Sequence, residues 1–186
     1  MNREEVQELL AVAEQARAIV FWDLETTGTG ADYDSVLVGC VKPYRRPVEI
    51  FQVKRPGDDR ELAEALAERL GQAYIWVTFY GRRFDVPFLE SRLLHHGLPP
   101  LRHRPHLDLY YLVRHRLALS RRSQAHVLRW LEAPEQKMTL SPDTWNEVVR
   151  DPERGLRTLV RRCVSDVRGL EALYLRLRRW VATLRP

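Results

Sequence analysis

Apolar residues at Val6, Leu9, Leu10, Val12, Ala13 and Ala16 recur at helical spacing, which predicts an amphipathic helix from Glu4 to Arg17. The pattern then changes period. Ala18-Ile19-Val20-Phe21-Trp22 is an unbroken run rich in β-branched and aromatic residues, the mark of a buried strand. Gly28 to Asp34 is turn-rich. Ser35 to Val41 and Val48 to Val53 read as two further strands, joined by Pro43-Tyr44-Arg45-Arg46-Pro47 into a hairpin.

Helical spacing returns from Asp58 to Leu70, with Asp58 or Asp59 as cap and Gly71 as stop. Ala73 to Tyr80 is a buried strand, and Phe84 to His96 a helix closed by Gly97 and Pro99-Pro100. His106-Leu107-Asp108-Leu109 predicts a short strand running into a helix from Tyr110. Gln124 to Leu131 is helical with Ser123 as cap, Pro142 to Arg150 is a short helix, and a last long helix covers Leu156 to Leu184. Strands first, then strands alternating with helices, make an α/β chain with a mixed sheet. With no repeat or linker, residues 1–186 are expected to form one domain.

Composition adds a partner class. The net charge is +5 and only Lys42, Lys54 and Lys137 are lysines, so the basic character is arginine. Pairs recur at Arg45-Arg46, Arg82-Arg83, Arg121-Arg122, Arg161-Arg162 and Arg178-Arg179. Guanidinium forks suit phosphate, which points to nucleic acid; a GC-rich coding bias produces the same enrichment. No apolar run approaches the ~20 residues of a membrane span, so no membrane partner is expected. The N-terminus lacks a signal-peptide pattern, and Cys40 and Cys163 stand apart among apolar neighbours. Both features fit a cytoplasmic protein with buried thiols.

The chemistry lies in the acids. Asp23 and Glu25 end the first strand two residues apart, so they point to the same side and repel unless solvated or partnered. A hard divalent cation is one such partner. Asp85 opens a helix just after a strand, where it is either a first-turn acid or part of a site. Asp166 lies on the apolar stripe of the last helix, between Cys163 and Leu170. A carboxylate on that face needs an arginine, hydrogen bonds or a metal, and Arg162 stands one turn earlier.

Phe21–Gly28, Tyr80–Asp85 and Arg162–Asp166 together resemble, in order and placement, the three motifs of the DEDD superfamily of 3′→5′ exonucleases. Residues 78–89 look especially like stand-alone relatives of the family B polymerase editing domain. The resemblance covers about Ile19 to Leu173. It implies a ribonuclease H-like α/β fold: a mixed five-stranded sheet flanked by helices, with the last acid on a long C-terminal helix. It also implies two Mg²⁺ or Mn²⁺ ions held by Asp23, Glu25, Asp85 and Asp166, and hydrolysis of single strands from their 3′ ends. DNA is favoured over RNA, with replication or repair proteins as associates.

By the same resemblance Leu24, Thr26 and Thr27 contact the terminal nucleotide, with Leu24 as the apolar wedge against its base. Phe84 lines that pocket or belongs to the core. Arg82, Arg83 and Arg162 are either phosphate contacts or ordinary surface, and Asp108, with His106, is a supporting residue. His103 and His106 read as loop histidines at the mouth, without the further ligands a zinc site needs. Two departures stand out. Tyr80 replaces the asparagine of the second motif. Arg161 and Arg162 occupy the positions where the family carries the His or Tyr that handles the attacking water, and arginine cannot serve as a base. Tyr80 or a histidine then supplies the missing hydrogen bond, or Glu25 alone assists the water. The alternative is a weakened or inactive nucleic-acid-binding module of the same fold.

Overall fold

A computed structural model describes residues 2–135, 138 and 150–181. The first helix, α1 (Arg3–Gln15), starts at a reciprocal cap: Asn2 accepts from the Glu5 amide while the Glu5 side chain accepts from the Asn2 amide. Its Val6, Leu10 and Ala13 are buried. Three strands follow, β1 (Ile19–Thr26), β2 (Val36–Pro43) and β3 (Glu49–Gln52). The rest alternates: α2 (Arg60–Gly71), β4 (Ile75–Thr78), α3 (Asp85–His95), β5 (His106–Asp108), α4 (Leu109–Arg116), α5 (Gln124–Trp130) and α6 (Pro152–Leu177).

The five strands lie in the order β3-β2-β1-β4-β5, so β1 is central. It runs antiparallel to β2 and parallel to β4, and β5 is parallel to β4. This is the mixed five-stranded sheet with flanking helices and a long C-terminal helix that the sequence predicts. A strand in the middle of a two-sided sheet loses contact with water on both faces. Accordingly only Asp23, among the eight residues of β1, is not fully buried. Trp22 and Trp76, neighbours on β1 and β4, meet edge to face at 5.8 Å.

Two helices define the faces. α6 crosses β1 and β2 on one side, with Leu159, Cys163, Asp166, Leu170 and Leu173 buried beneath it. α2 lies on the other side at Gly39 of β2: a Cβ there would come 2.7 Å from Leu66 and 3.4 Å from Leu24. Glycine is therefore what lets α2 approach the sheet.

Several boundaries differ from the periodicity. α6 begins at Pro152 rather than Leu156, because Asp151 caps the Arg154 amide and proline suits a first helical turn. It ends at Leu177, short of the expected Leu184, and passes into a 3₁₀ turn at Arg178–Trp180. The helix expected over Pro142 to Arg150 lies, apart from Arg150, outside the described residues. Asp59 stands before α2 but caps nothing. It is fully buried, and its carboxylate accepts two hydrogen bonds from Arg92, at 2.9 Å each, one from the Val36 amide and one from His96 Nε2. Burial alone would raise its pKa, yet these partners hold it below the ordinary carboxylate value. His106, read both as the start of a short strand and as a histidine at the mouth, is a buried β5 residue bonded to Thr78 Oγ1 at 2.8 Å. His103 is exposed and pairs with Glu90.

Candidate metal and nucleic-acid site

β1 and α6 bring three acids together. Asp23 and Glu25 point from alternate positions of β1 toward α6, where Asp166 faces them. One oxygen from each lies within 4.8 Å of the others. Glu25 and Asp166 are buried, while Asp23 keeps partial contact with solvent. The backbone beneath is pinned: Cys163 Sγ donates to the Asp23 carbonyl at 3.4 Å, and Gln124 Nε2 donates to the Asp166 carbonyl at 2.8 Å. Burial and the neighbouring Cys40 hold the Cys163 thiol well above its usual pKa, so it stays protonated and can donate.

Asp85 is next to this trio but turned differently. Its Oδ1 accepts the Leu24 amide at 3.0 Å, which locks the start of α3 to β1. Burial, then the charge of Asp23, pushes its carboxyl well above the ordinary value. The arrangement brings Asp23, Glu25 and Asp166 into one cluster and leaves Asp85 beside Asp23, outside it.

The turn between β4 and α3 is held by Asp108. One of its oxygens accepts from the amides of Tyr80 (2.7 Å) and Tyr110 (3.1 Å), the other from that of Arg82 (3.1 Å). Burial raises the Asp108 pKa, and those three amides pull it back. Tyr80 is left-handed at φ 71°, a conformation in which asparagine is common and tyrosine strained. Gly81 follows because a Cβ there would lie 2.5 Å from Thr78 Oγ1.

Tyr80 is 45% exposed, with its ring 4.8 Å from that of Tyr110. Both rings, with Asp23, Arg122 and Ser123, line a cavity of about 580 Å³. Tyr110 and Arg122 have no motif of their own, and only the fold brings them to Asp23.

Other expectations are corrected. Leu24 is no wedge: its side chain is buried on the α2 side of the sheet and its amide is taken by Asp85. Thr26 is buried, donating to the Gly28 carbonyl at 2.6 Å, and Thr27 donates to Asp34 at 3.0 Å, so both hydroxyls hold the β1–β2 loop. Phe84 takes the second of its two expected roles, packing on Phe88 at 5.6 Å against the core. The Arg82 guanidinium is taken up by the His106 carbonyl at 2.5 Å, whereas Arg83 stays exposed beside the Tyr111 hydroxyl, 3.4 Å away. Arg162 faces inward: Nε is 3.2 Å from Glu25 and 3.8 Å from Asp166, an internal ion pair in place of a phosphate contact. Arg161 is exposed and bonds Thr158.

An all-oxygen donor set of three carboxylates suits a hard divalent cation such as Mg²⁺ or Mn²⁺. Asp23, Glu25 and Asp166 would hold it. The family model described as RNase_H superfamily matches residues 20–178, most of the chain. The chain belongs to the RNase_H superfamily. Nucleases of this superfamily use divalent metals, and in this member the acidic cluster stands ready for one. Among solved structures, the family B DNA polymerase from the hyperthermophilic archaeon Pyrobaculum calidifontis is similar, with a TM-score of 0.72 and 21% identity. The match covers 86% of this chain and 24% of the polymerase, a likeness of fold over about a quarter of that protein. No curated protein matches this RNase_H-superfamily chain.

Proposed function

We propose that this RNase_H-superfamily chain is a divalent-metal-dependent 3′→5′ exonuclease on single-stranded nucleic acid, DNA favoured over RNA, using two Mg²⁺ or Mn²⁺ ions. The observation that carries the reading is the convergence of Asp23, Glu25 and Asp166 within 4.8 Å, with Asp85 against the same strand. Three clustered acids with a fourth beside Asp23 repel one another, and divalent cations are a natural compensation. When bound, the ions would supply an activated water and neutralise charge on the phosphate being cut.

The chain's own residues do the rest. Asp23 lines the cavity together with Tyr80 and Tyr110, whose rings offer a terminal base a place to stack. Arg122, on the same cavity, is a cation for the adjoining phosphate. Asp108 fixes the turn that aims Tyr80, and Gln124 fixes the helix that aims Asp166.

One observation favours a second reading, a nucleic-acid-binding module without chemistry. Arg162 stands where related exonucleases place the residue that handles water, and it pairs with Glu25 and Asp166. Digestion of 5′-labelled single-stranded DNA and RNA with Mg²⁺, Mn²⁺ or EDTA separates the two. A metal-dependent ladder shortening from the 3′ end supports the exonuclease. Salt-sensitive binding without cleavage overturns it in favour of the module.

A further inference from the structure

On the far side of the Tyr80–Arg83 turn lies a second cavity, of about 670 Å³, at the β5 edge of the sheet. Its walls carry Arg82, Arg83 and Arg116 with Tyr111, His115 and Trp180. Asp108 is the one acid among the described residues that line it, and both its oxygens are turned to backbone amides. Among the described residues no carboxylate forms an ion pair with Arg83 or Arg116. Both arginines are exposed, as is Trp180 at 60%.

A chain of aromatic rings runs between the two cavities. Tyr80 and Tyr110, which line the one holding Asp23, touch ring to ring at 4.8 Å. Tyr110 meets Tyr111 at 5.4 Å, and Tyr111 stacks on His115 at 6.1 Å with their planes 14° apart. A row of aromatic faces therefore leads from the acidic cluster into the basic cavity. Alternating aromatic faces and guanidinium groups is the arrangement that holds a single strand without reading its sequence. The volume is that of an ordinary ligand pocket.

We propose that the basic cavity is a second binding site for the single strand, holding phosphates and a stacked base upstream of the 3′ end. The proposal rests on the exonuclease reading, which sets the strand's direction. Phosphates lie against Arg83 and Arg116, and a base stacks on Trp180 or on the Tyr111–His115 pair. Strands that span both cavities bind more tightly than strands that reach only the first.

The test is anisotropy of a 5′-labelled single strand of about 10 nucleotides, a length within ordinary single-strand site sizes, titrated in EDTA at several salt concentrations. Arg116→Ala is expected to flatten the dependence of log affinity on log salt by about 0.7, one single-strand phosphate contact. Trp180→Ala is expected to weaken binding about tenfold. The control is Arg55→Ala, an exposed arginine beyond β3 at the opposite edge of the sheet, which should change neither. Wild-type affinity and salt slope in both cavity variants would overturn the proposal. Binding in EDTA needs no chemistry, so absence of metal-dependent cleavage would refute the exonuclease reading separately. A wild-type protein that binds no strand would sink both.

Discussion

Arg162 Nε lies 3.2 Å from Glu25 Oε1, so a side-chain cation already touches an acid offered to a metal. The guanidinium and a bound ion share the same carboxylates and repel one another. Arg162→Gln is therefore expected to tighten Mn²⁺ binding by roughly tenfold or more, given charges a few ångströms apart in a partly buried site. Calorimetric titration of the two proteins with Mn²⁺ checks this. Weaker binding in the variant would instead make Arg162 the residue that orients the acids.

Asp108 acts through the turn it holds. Asp108→Ala leaves the amides of Tyr80, Arg82 and Tyr110 without their carboxylate, a loss of about 3 kcal/mol in unfolding free energy. The variant should also raise KM for single strands, because Tyr80 is no longer aimed, while Mn²⁺ affinity at the three-acid cluster holds. An equal fall in Mn²⁺ affinity would mean that the turn supports the acids themselves.

Arg92 neutralises a fully buried acid. Arg92→Met would leave Asp59 in the interior with only His96 and one amide, at a cost of about 3–5 kcal/mol. Denaturant unfolding measures it. The double variant Arg92→Met with Asp59→Leu should recover most of the loss, since no uncompensated charge remains.

His106 gives the fold a pH dependence. Burial, followed by the charges of Arg82 and His103, pushes its pKa from 6.5 down to about 3. Between these values the unfolded chain takes up a proton that the folded chain refuses, so the contribution is complete above the upper value and lost as pH falls. At about pH 5 it amounts to about 2 kcal/mol relative to about pH 7. The pH difference in unfolding free energy should shrink by that amount in His106→Gln. An unchanged difference would assign the acid sensitivity to other groups.

The parts of this molecule legible in the sequence are those governed by local period. Alternation along β1 places Asp23 and Glu25 on one side, and the apolar stripe of α6 places Asp166 on its buried face. What stayed hidden depends on which elements meet. Leu24 looked available to a nucleotide, but α2 covers that side of the sheet at Gly39. Asp59 has the form of a helix cap, and only the packing of α3 on α2 gives it Arg92. Arg162 was readable as a partner for Asp166 one turn away, whereas its closer contact with Glu25 needed the crossing of α6 over β1. Tyr110, in the first turn of α4, and Arg122, in the loop before α5, share a cavity with Asp23 only because of how these segments pack, which no local period announces.

The bond from Cys163 to the Asp23 carbonyl spans 140 positions of sequence. The acids above it come likewise from the first strand and the last helix. An ion seated there works as a removable crosslink between the two ends of the domain, present in the folded chain and absent from the unfolded one. Thermal stability then becomes a gauge of cation supply, rising by about 2.7 kcal/mol once the free ion reaches a hundred times its dissociation constant. Peeling α6 away dismantles the cluster in the same event, so a partly unfolded copy holds no ion and can do no cutting.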